Sequence, residues 1–114
     1  MSGEIAYCPD AGDIIWINFD PQLGREQAGR RPAYVLSGKP YNIATRLCVL
    51  CPVTSKIKGF RFEVLIPITS VIQGVVLTDQ IKSLDWSLRR SAFVEKCPEI
   101  SGEVAARLRA LLQL

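Results

Sequence analysis

Short apolar runs recur along most of the chain, and their residue types predict β-strands. The first run, residues 13–19, mixes aromatic and β-branched side chains and ends at an Asp-Pro pair, a common turn signal. Four further runs, each bounded by Gly, Pro or Asn, follow at residues 33–37, 47–54, 62–67 and 75–84. The body of the protein is therefore predicted to consist of several short strands.

The C-terminal segment follows a different period. From Glu99 onward, apolar residues recur at steps of three and four, the spacing that places side chains on one face of an α-helix. That face would carry Ile100, Val104, Leu108, Leu111 and Leu112. Pro98 suits the first helical turn, where its missing amide hydrogen costs nothing. Residues 39–46 favour one helical turn at most. The pattern predicts a mainly β fold, a small bent barrel or sandwich with a C-terminal α-helix.

Length and composition limit the possible classes of protein. A chain of 114 residues with 48% hydrophobic content fits a single compact domain over residues 1–114. Neither an export signal nor a membrane-spanning run of about 18 uncharged apolar residues is visible, so we expect a cytoplasmic protein. The net charge of +3 suits a nucleic-acid partner but equally suits many other proteins.

The cysteines and the missing histidine restrict the possible chemistry. In a reducing compartment Cys8, Cys48, Cys51 and Cys97 are expected to be free, buried thiols. Cys48 and Cys51 lie on one predicted strand, where their odd spacing sends the side chains to opposite faces. With no histidine and no second cysteine pair, we expect no metal site and no cofactor. Any catalysis must also proceed without the commonest general base.

One polar segment, residues 21–32, contains two glycines, two prolines and a cluster of charges, and it predicts a long, mobile loop. Its guanidinium groups belong to Arg25, Arg30 and Arg31. Arginine offers a planar fork of donors that matches phosphate oxygens and stays charged at every relevant pH. The segment is thus a candidate phosphate cradle, although its composition alone favours a solvated loop.

Two further polar groups interrupt apolar strands. The strand at 47–54 ends at Thr54 and is followed by Ser55, Lys56 and Lys58, and the hydroxyl and amine groups of these residues either reach a bound phosphate or simply mark the chain leaving the core. Asp79 and Gln80 lie inside the predicted strand 75–84. A carboxylate and an amide there need polar partners, and we expect them to point into a groove.

The order of several segments resembles a known family. The segments are GDIIWINFDP, GREQAGRRPAYVLS, YN, CPVTSKIKGFRFEV and GVVLTDQIKSLDW. In this order they resemble the MazF/PemK family of messenger-RNA interferases across nearly the whole chain. The most specific pieces are the Glu-Gln-Ala-Gly-Arg-Arg-Pro stretch at residues 26–32 and the later strand ending Pro-Val-Thr-Ser.

The resemblance implies a fold, an activity and partners. The fold is a closed SH3-like barrel, MazF/CcdB-like, with a C-terminal helix, forming a symmetric homodimer whose groove takes single-stranded RNA. The activity is that of a type II toxin–antitoxin toxin, a metal-independent endoribonuclease that cuts at short sequence motifs. Attack by the ribose 2′-hydroxyl leaves a 2′,3′-cyclic phosphate and a 5′-hydroxyl. The restraining partner is an acidic, MazE/PemI-like antitoxin, whose tail would find its electrostatic complement in the basic loop.

The resemblance also implies site residues. The essential arginine of the family falls on Arg31 and its catalytic threonine on Thr54, while Glu26 is a candidate proton acceptor and Arg31 itself a candidate acid or base. Residues expected to contact RNA are Phe19, Arg25, Gln27, Arg30, Ser55, Lys56, Asp79 and Gln80. One branch of the family carries a histidine before Glu-Gln and an arginine two places before Asp-Gln. Here these places hold Arg25 and Leu77, so roles of that pair do not transfer.

Two other classes of protein share the expected architecture. The CcdB toxins, whose fold is similar, poison DNA gyrase by binding without chemistry, and their gyrase contacts lie in a C-terminal Trp-Gly-Ile ending. This chain ends Arg-Ala-Leu-Leu-Gln-Leu, which disfavours that alternative. A purely structural barrel would leave the ordered arginine and threonine segments unexplained. The RNA motif recognised does not follow from the sequence.

Overall fold

The computed structural model describes residues 7–20 and 27–114. Within them the strands are β1 (Asp13–Asn18), β2 (Arg30–Val35), β3 (Leu47–Thr54), β4 (Glu63–Leu65), β5 (Val75–Leu77), β6 (Lys82–Asp85) and β7 (Ala92–Lys96). The helices are α1 (Lys39–Thr45) and α2 (Ser101–Leu112), with 3-10 turns at Thr78–Gln80, Trp86–Leu88 and Pro98–Ile100. The strands pair antiparallel in the order β4-β5-β3-β2-β1-β7, and β6 also pairs with β3.

Alternating side chains of the central strands bury both faces of the sheet. Ile14 and Tyr34 point to one face, where they pack with Val104 of α2. Ile15 and Ala33 point to the other face and join a second apolar cluster. The two-residue period of a strand makes this division, since neighbouring side chains leave the backbone on opposite sides.

The two outermost strands, β4 and β7, approach closure through a loop. The loop after β4 reaches β7, where the backbone N–H of Val71 donates to Oε1 of Glu95 at 3.0 Å. Ser70 of the same loop places its hydroxyl 4.0 Å from Sγ of Cys97. The predicted mainly β, barrel-like body with a C-terminal helix is confirmed, although the hydrogen-bonded ladder itself stays open between β4 and β7.

The cysteines lie as their spacing predicts. Cys48 belongs to the second cluster and Cys51 to the first, so the two thiols face opposite sides of β3. All four cysteines are free and buried. Burial raises the pKa of the Cys48 and Cys51 thiols to about 12, because the apolar surroundings disfavour the thiolate. In the described part of the chain, no group of three or more His, Cys, Asp or Glu side chains is arranged to hold a metal ion.

The prediction of one strand over residues 75–84 is wrong. A 3-10 turn at Thr78–Gln80 separates β5 from β6. Thr78 causes the break, because both its hydroxyl and its backbone N–H donate to the Phe62 carbonyl, at 2.6 and 3.3 Å. A side chain that competes for backbone acceptors in this way diverts the chain from the ladder.

Two other local predictions need correction, and one strand was not predicted. Arg30–Pro32 belong to β2, so the predicted loop over residues 21–32 ends earlier.

Residues 39–46 form more than one turn, because the buried Asn42 of α1 donates to the Pro9 carbonyl at 2.8 Å and accepts from the Ser37 hydroxyl at 2.6 Å. Tertiary bonds of this kind stabilise a helix whose own propensity is weak. β7 was missed because it is short and half exposed.

The C-terminal helix is confirmed. Val104 is 1% exposed and Ile100, in the preceding 3-10 turn, 6% exposed, whereas Leu112 at the end of the helix is 50% exposed. Arg107 forms an ion pair with Glu103 one turn earlier, at 3.3 Å. Across residues 7–20 and 27–114, no helix is long and apolar enough to cross a membrane.

Candidate functional site

A cleft of about 1060 Å³ opens at the end of the sheet where β2 begins and β3 ends. It collects seven of the residues predicted to act on RNA, which are Gln27, Arg31, Thr54, Ser55, Lys56, Asp79 and Gln80. Its other walls are formed by aromatic and aliphatic side chains and by Lys58, Glu63 and Gln73. The cleft therefore combines groups from β2, β3, the 3-10 turn and the segment after β3.

Strand register brings Arg31 and Thr54 together. Ala33 of β2 pairs with Pro52 of β3. Because the strands are antiparallel, two residues further along leads to Arg31 on one strand and Thr54 on the other, on the same face. Both side chains are half-buried and line the cleft.

Within the described part of the chain, each of these two side chains is oriented by one hydrogen bond. Nε of Arg31 donates to the Ala28 carbonyl at 2.8 Å, which uses one of the five N–H donors of a guanidinium. The Thr54 hydroxyl oxygen accepts from the backbone N–H of Lys56 at 3.2 Å. That bond does not use the hydroxyl hydrogen of Thr54, so the group retains its own donor for a ligand.

Thr54 is also held by a close approach of the β5 backbone. Thr54 pairs with Val75, and the preceding residue, Gly74, has a φ of +131°. A Cβ atom at Gly74 would lie 2.1 Å from the carbonyl oxygen of Thr54. Only glycine permits this contact, so the end of β3 is fixed from the β5 side.

The 3-10 turn at Thr78–Gln80 places Asp79 and Gln80 in the lining of the cleft. Thr78 points inward and is fully buried, while Asp79 is exposed and Gln80 half-buried. Oε1 of Gln80 accepts the backbone N–H of Gln27 at 3.1 Å. This bond joins the turn to the segment that leads into β2.

Among the described residues that line the cleft, cationic groups outnumber carboxylates. Arg31, Lys56 and Lys58 face Glu63 and Asp79. Glu63 is engaged within the protein, because its carboxylate accepts the backbone N–H groups of Lys58 at 3.3 Å and of Gly59 at 3.0 Å. The arrangement suits a polyanion whose phosphates meet the guanidinium and the two ammonium groups.

Comparison with known proteins identifies the family. Residues 10–114 match the PemK-like, MazF-like toxins of type II toxin–antitoxin systems. The chain belongs to this family. It is 49% identical over 83 residues to the endoribonuclease toxin MazF of Escherichia coli strain K12, covering 73% of this chain and 74% of that protein. It is 35% identical over 109 residues to the endoribonuclease PemK of Escherichia coli, covering 90% and 81%.

Solved structures agree with this membership of the MazF/PemK toxins. The crystal structure of MazF from Deinococcus radiodurans has a TM-score of 0.92 and 48% identity, covering 96% of this chain and 100% of that one. A MazE–MazF crystal structure from the same organism has a TM-score of 0.84 and 44% identity, covering 96% and 99%. The predicted resemblance is confirmed, and the CcdB-like alternative is not favoured.

The structure of this MazF/PemK toxin places two predicted site residues, Phe19 and Arg30, outside the lining of the cleft. Phe19 was predicted to contact RNA, which is wrong, because its ring is 1% exposed in the second apolar cluster. Arg30 is exposed but lies outside the cleft lining, where its guanidinium donates to the Arg90 carbonyl at 3.2 Å and stacks over Trp16. Arg25 and Glu26 fall outside the described residues.

Aromatic side chains of the toxin's cleft were missed from the sequence. They are Trp16, Phe60 and Phe62. Phe60 is 64% exposed, and Nζ of Lys58 lies 5.7 Å from its ring centroid. The signal was present, because Phe60 and Phe62 flank an arginine directly after Gly59, which is unusual for a segment that enters a core.

Proposed function

We propose that this cleft is the catalytic centre of an endoribonuclease toxin that cuts single-stranded RNA through attack by the substrate's own 2′-hydroxyl. The named relatives at 49% and 35% identity are endoribonucleases. The observation that carries the proposal is the meeting of Arg31 and Thr54 at one end of β2 and β3, inside a cleft with excess positive charge. A cation and a hydroxyl donor so placed suit a transition state whose charge gathers on phosphoryl oxygens.

In the proposed reaction, the 2′-oxygen forms a bond to phosphorus while the bond from phosphorus to the 5′-oxygen breaks. The 2′-hydroxyl proton passes to a base, and the leaving 5′-oxygen takes up a proton. Arg31 neutralises the developing charge through its remaining N–H donors, and Thr54 donates its hydroxyl hydrogen to a non-bridging oxygen. No metal is needed, because the substrate supplies the nucleophile and the guanidinium supplies the charge. Glu26 is proposed as the base, and Arg31, whose guanidinium carries protons, as the candidate acid for the leaving 5′-oxygen.

Binding of a single strand is supported by aromatic and cationic groups in the same cleft. Bases that are not paired stack on exposed rings, and such stacking contributes about 1–3 kcal/mol per base. Phe60 offers an exposed ring beside Lys58, while Lys56 and Ser55 provide polar groups for the phosphates. A rigid duplex would keep its bases stacked inside and leave these rings unused.

Two kinds of partner complete the proposal. MazE is bound to MazF in the Deinococcus radiodurans complexes, and an acidic antitoxin of that type is the proposed restraint on this toxin. We also propose a homodimer, because apolar side chains at the end of α2 stay outside the core, with Leu112 50% and Leu114 86% exposed. A cytoplasmic location stays a prediction.

The proposed chemistry is tested with purified toxin, excess EDTA and an unstructured RNA. We expect cleavage to continue, with 5′-hydroxyl ends that polynucleotide kinase labels without prior phosphatase treatment. A matched DNA of the same sequence stays intact, because it lacks the nucleophile. A primer-extension map of a long RNA then shows the motif recognised.

The control uses RNA in which only the nucleotide on the 5′ side of the mapped cut carries a 2′-deoxy or 2′-O-methyl group. Either change removes the nucleophile while leaving the phosphate and the bases in place, so cutting at that position stops. Continued cleavage of the 2′-deoxy substrate, or loss of cleavage in EDTA, would contradict the proposed mechanism.

A further inference from the structure

We infer that Gln80 is a positioning residue for Arg31, acting through the backbone of Gln27 and Ala28 rather than by reading a base of the RNA. This inference rests on the proposed role of Arg31 in catalysis. Its basis is a chain of two hydrogen bonds between the 3-10 turn and the guanidinium. Oε1 of Gln80 accepts the Gln27 N–H at 3.1 Å, and the next residue, Ala28, accepts Nε of Arg31 at 2.8 Å.

The 3-10 turn that carries Gln80 is held in place by the core. Its turn is held to the segment before β4 by Thr78, which is fully buried and donates to the Phe62 carbonyl through both its hydroxyl and its backbone N–H. The side chain of Gln80 therefore extends from a turn whose position is set by the core. A tether is effective only when one of its ends cannot move, and this end meets that condition.

The backbone on the other side of Ala28 is anchored independently. The N–H of Gly29 donates to Oδ1 of Asp20 at 2.8 Å, and the Gly29 carbonyl accepts the backbone N–H of Phe19, also at 2.8 Å. Ala28 thus lies between Gly29, bound to the end of β1, and Gln27, bound to Gln80. With both neighbours held, the Ala28 carbonyl has a set direction, and so does the guanidinium that donates to it.

The oxygen and the NH₂ group of the Gln80 side-chain amide have different expected roles. Positioning uses the oxygen as an acceptor for a backbone N–H, whereas reading of a base would also use the NH₂ group as a donor. Glutamate keeps the acceptor and loses the donor. Methionine, of similar length, loses the acceptor. Gln80→Glu and Gln80→Met therefore have different expected effects.

The kinetic test compares the two variants on the RNA that the toxin cleaves. We expect Gln80→Met to lower kcat by about 10- to 100-fold, because a small displacement of a catalytic group has effects of that order. Gln80→Glu should keep most of kcat and raise KM, since it adds a negative charge near the RNA. Arg107→Ala, on the surface of α2 and outside the lining of the cleft, is the control and should leave both constants unchanged.

A second measurement needs no RNA. Hydrogen exchange of the Gln27 backbone amide, followed by NMR in the free protein, should accelerate in Gln80→Met and stay slow in Gln80→Glu, with other amides unchanged. If the Gln27 amide exchanges at the same rate in wild type, Gln80→Met and Gln80→Glu, then Gln80 does not hold the Gln27 backbone, whatever the cleavage rates are. A Gln80→Met variant with unchanged kcat and a raised KM would also overturn the inference and assign Gln80 to RNA contact. If wild-type protein cuts no RNA, the proposed function fails while the exchange result still decides the tether.

Discussion

Two polar clusters occupy opposite ends of the β1–β2 pair, and they use similar residue types for different purposes. At the start of β1, Asp13 is 2% exposed. One of its carboxylate oxygens accepts the Tyr7 hydroxyl and the Asp10 backbone N–H, and the other lies 2.6 Å from Nζ of Lys96. At the start of β2, Arg31 is half-buried and commits one N–H to Ala28.

The difference shows how a stabilising cluster is distinguished from a reactive one. Around the buried Asp13 carboxylate the polar groups are turned towards one another, so their interactions support the fold. Around Arg31 the internal bonds orient the groups without exhausting them, and the cleft leaves room for a ligand. Substitution at the first cluster should therefore change stability, and substitution at the second should change catalysis.

The largest expected effect is that of Arg31→Ala on RNA cleavage. Loss of a preorganised charge-stabilising donor lowers the rate by about 100- to 1000-fold, close to 3–4 kcal/mol of activation free energy. The melting temperature should hardly change, because Arg31 lines the cleft and is not part of either apolar cluster. Single-turnover kinetics and thermal unfolding of the same preparation measure both quantities.

Two substitutions sharpen the assignment of this cluster. Arg31→Lys keeps the charge but loses the planar fork, so it should not restore full activity. Thr54→Val, nearly isosteric, should also slow cleavage without unfolding the protein. Variants of Arg31 and Thr54 that fold normally and still cleave RNA at the wild-type rate would show that the chemistry lies elsewhere. Arg107→Ala, on the helix surface, serves as the inert control.

Asp13→Ala should have the converse effect. The Tyr7 hydroxyl and the Asp10 N–H would lose their acceptor, and an unsatisfied buried donor costs about 1–3 kcal/mol. Since half-exposed Lys96 can turn to solvent, we expect a loss of about 2 kcal/mol in the free energy of unfolding. Urea titration measures it. Cleavage per folded molecule at low temperature should match wild type, and a selective loss of kcat would abolish the distinction between the two clusters.

Much of the strand framework could be predicted, because alternating β-branched residues encode it locally. β1 and β3 were predicted to within one residue, and the opposite directions of Cys48 and Cys51 followed from the period of a strand. The 3-10 turn could not be predicted, because Thr78 breaks the strand through bonds to Phe62, which is distant in sequence. α1 was underestimated for the same reason, since its Asn42 bonds to Pro9.

The candidate site, too, could be predicted from the sequence only in part. Arg31 and Thr54 were identified from ordered motifs, and strand register explains why they meet. Phe19 was misassigned because an aromatic residue beside a turn looks alike in sequence whether it enters the core or the solvent, and here it packs with Trp86. The tether between Gln80 and Gln27 spans 53 residues and depends on where two separate turns stop, which no local pattern encodes.

The smallest expected effect is that of removing a single titrating thiol, and it again distinguishes the protein interior from the cleft. Burial raises the pKa of the Cys48 and Cys51 thiols to about 12 and that of the Tyr34 hydroxyl to about 12. In the unfolded chain the thiols ionise near their ordinary value of 9.0, so above that pH the unfolded state releases protons that the folded state retains. The contribution of these protonated thiols to the free energy of unfolding is therefore fully present below pH 9. It is lost as the pH rises towards 12, by at most about 1.4 kcal/mol per pH unit for each thiol.

We therefore expect the urea midpoint to fall between about pH 8 and pH 10, with a smaller fall in Cys48→Ala, which has one titrating thiol fewer. The size of the fall is compared between variants, so any cavity left by the substitution cancels. Arg31 belongs to neither apolar cluster and lies apart from the buried thiols, so Arg31→Ala should show the same fall as wild type. A midpoint that rises with pH, or a fall that disappears in Arg31→Ala, would place the titrating groups in the cleft instead of the core.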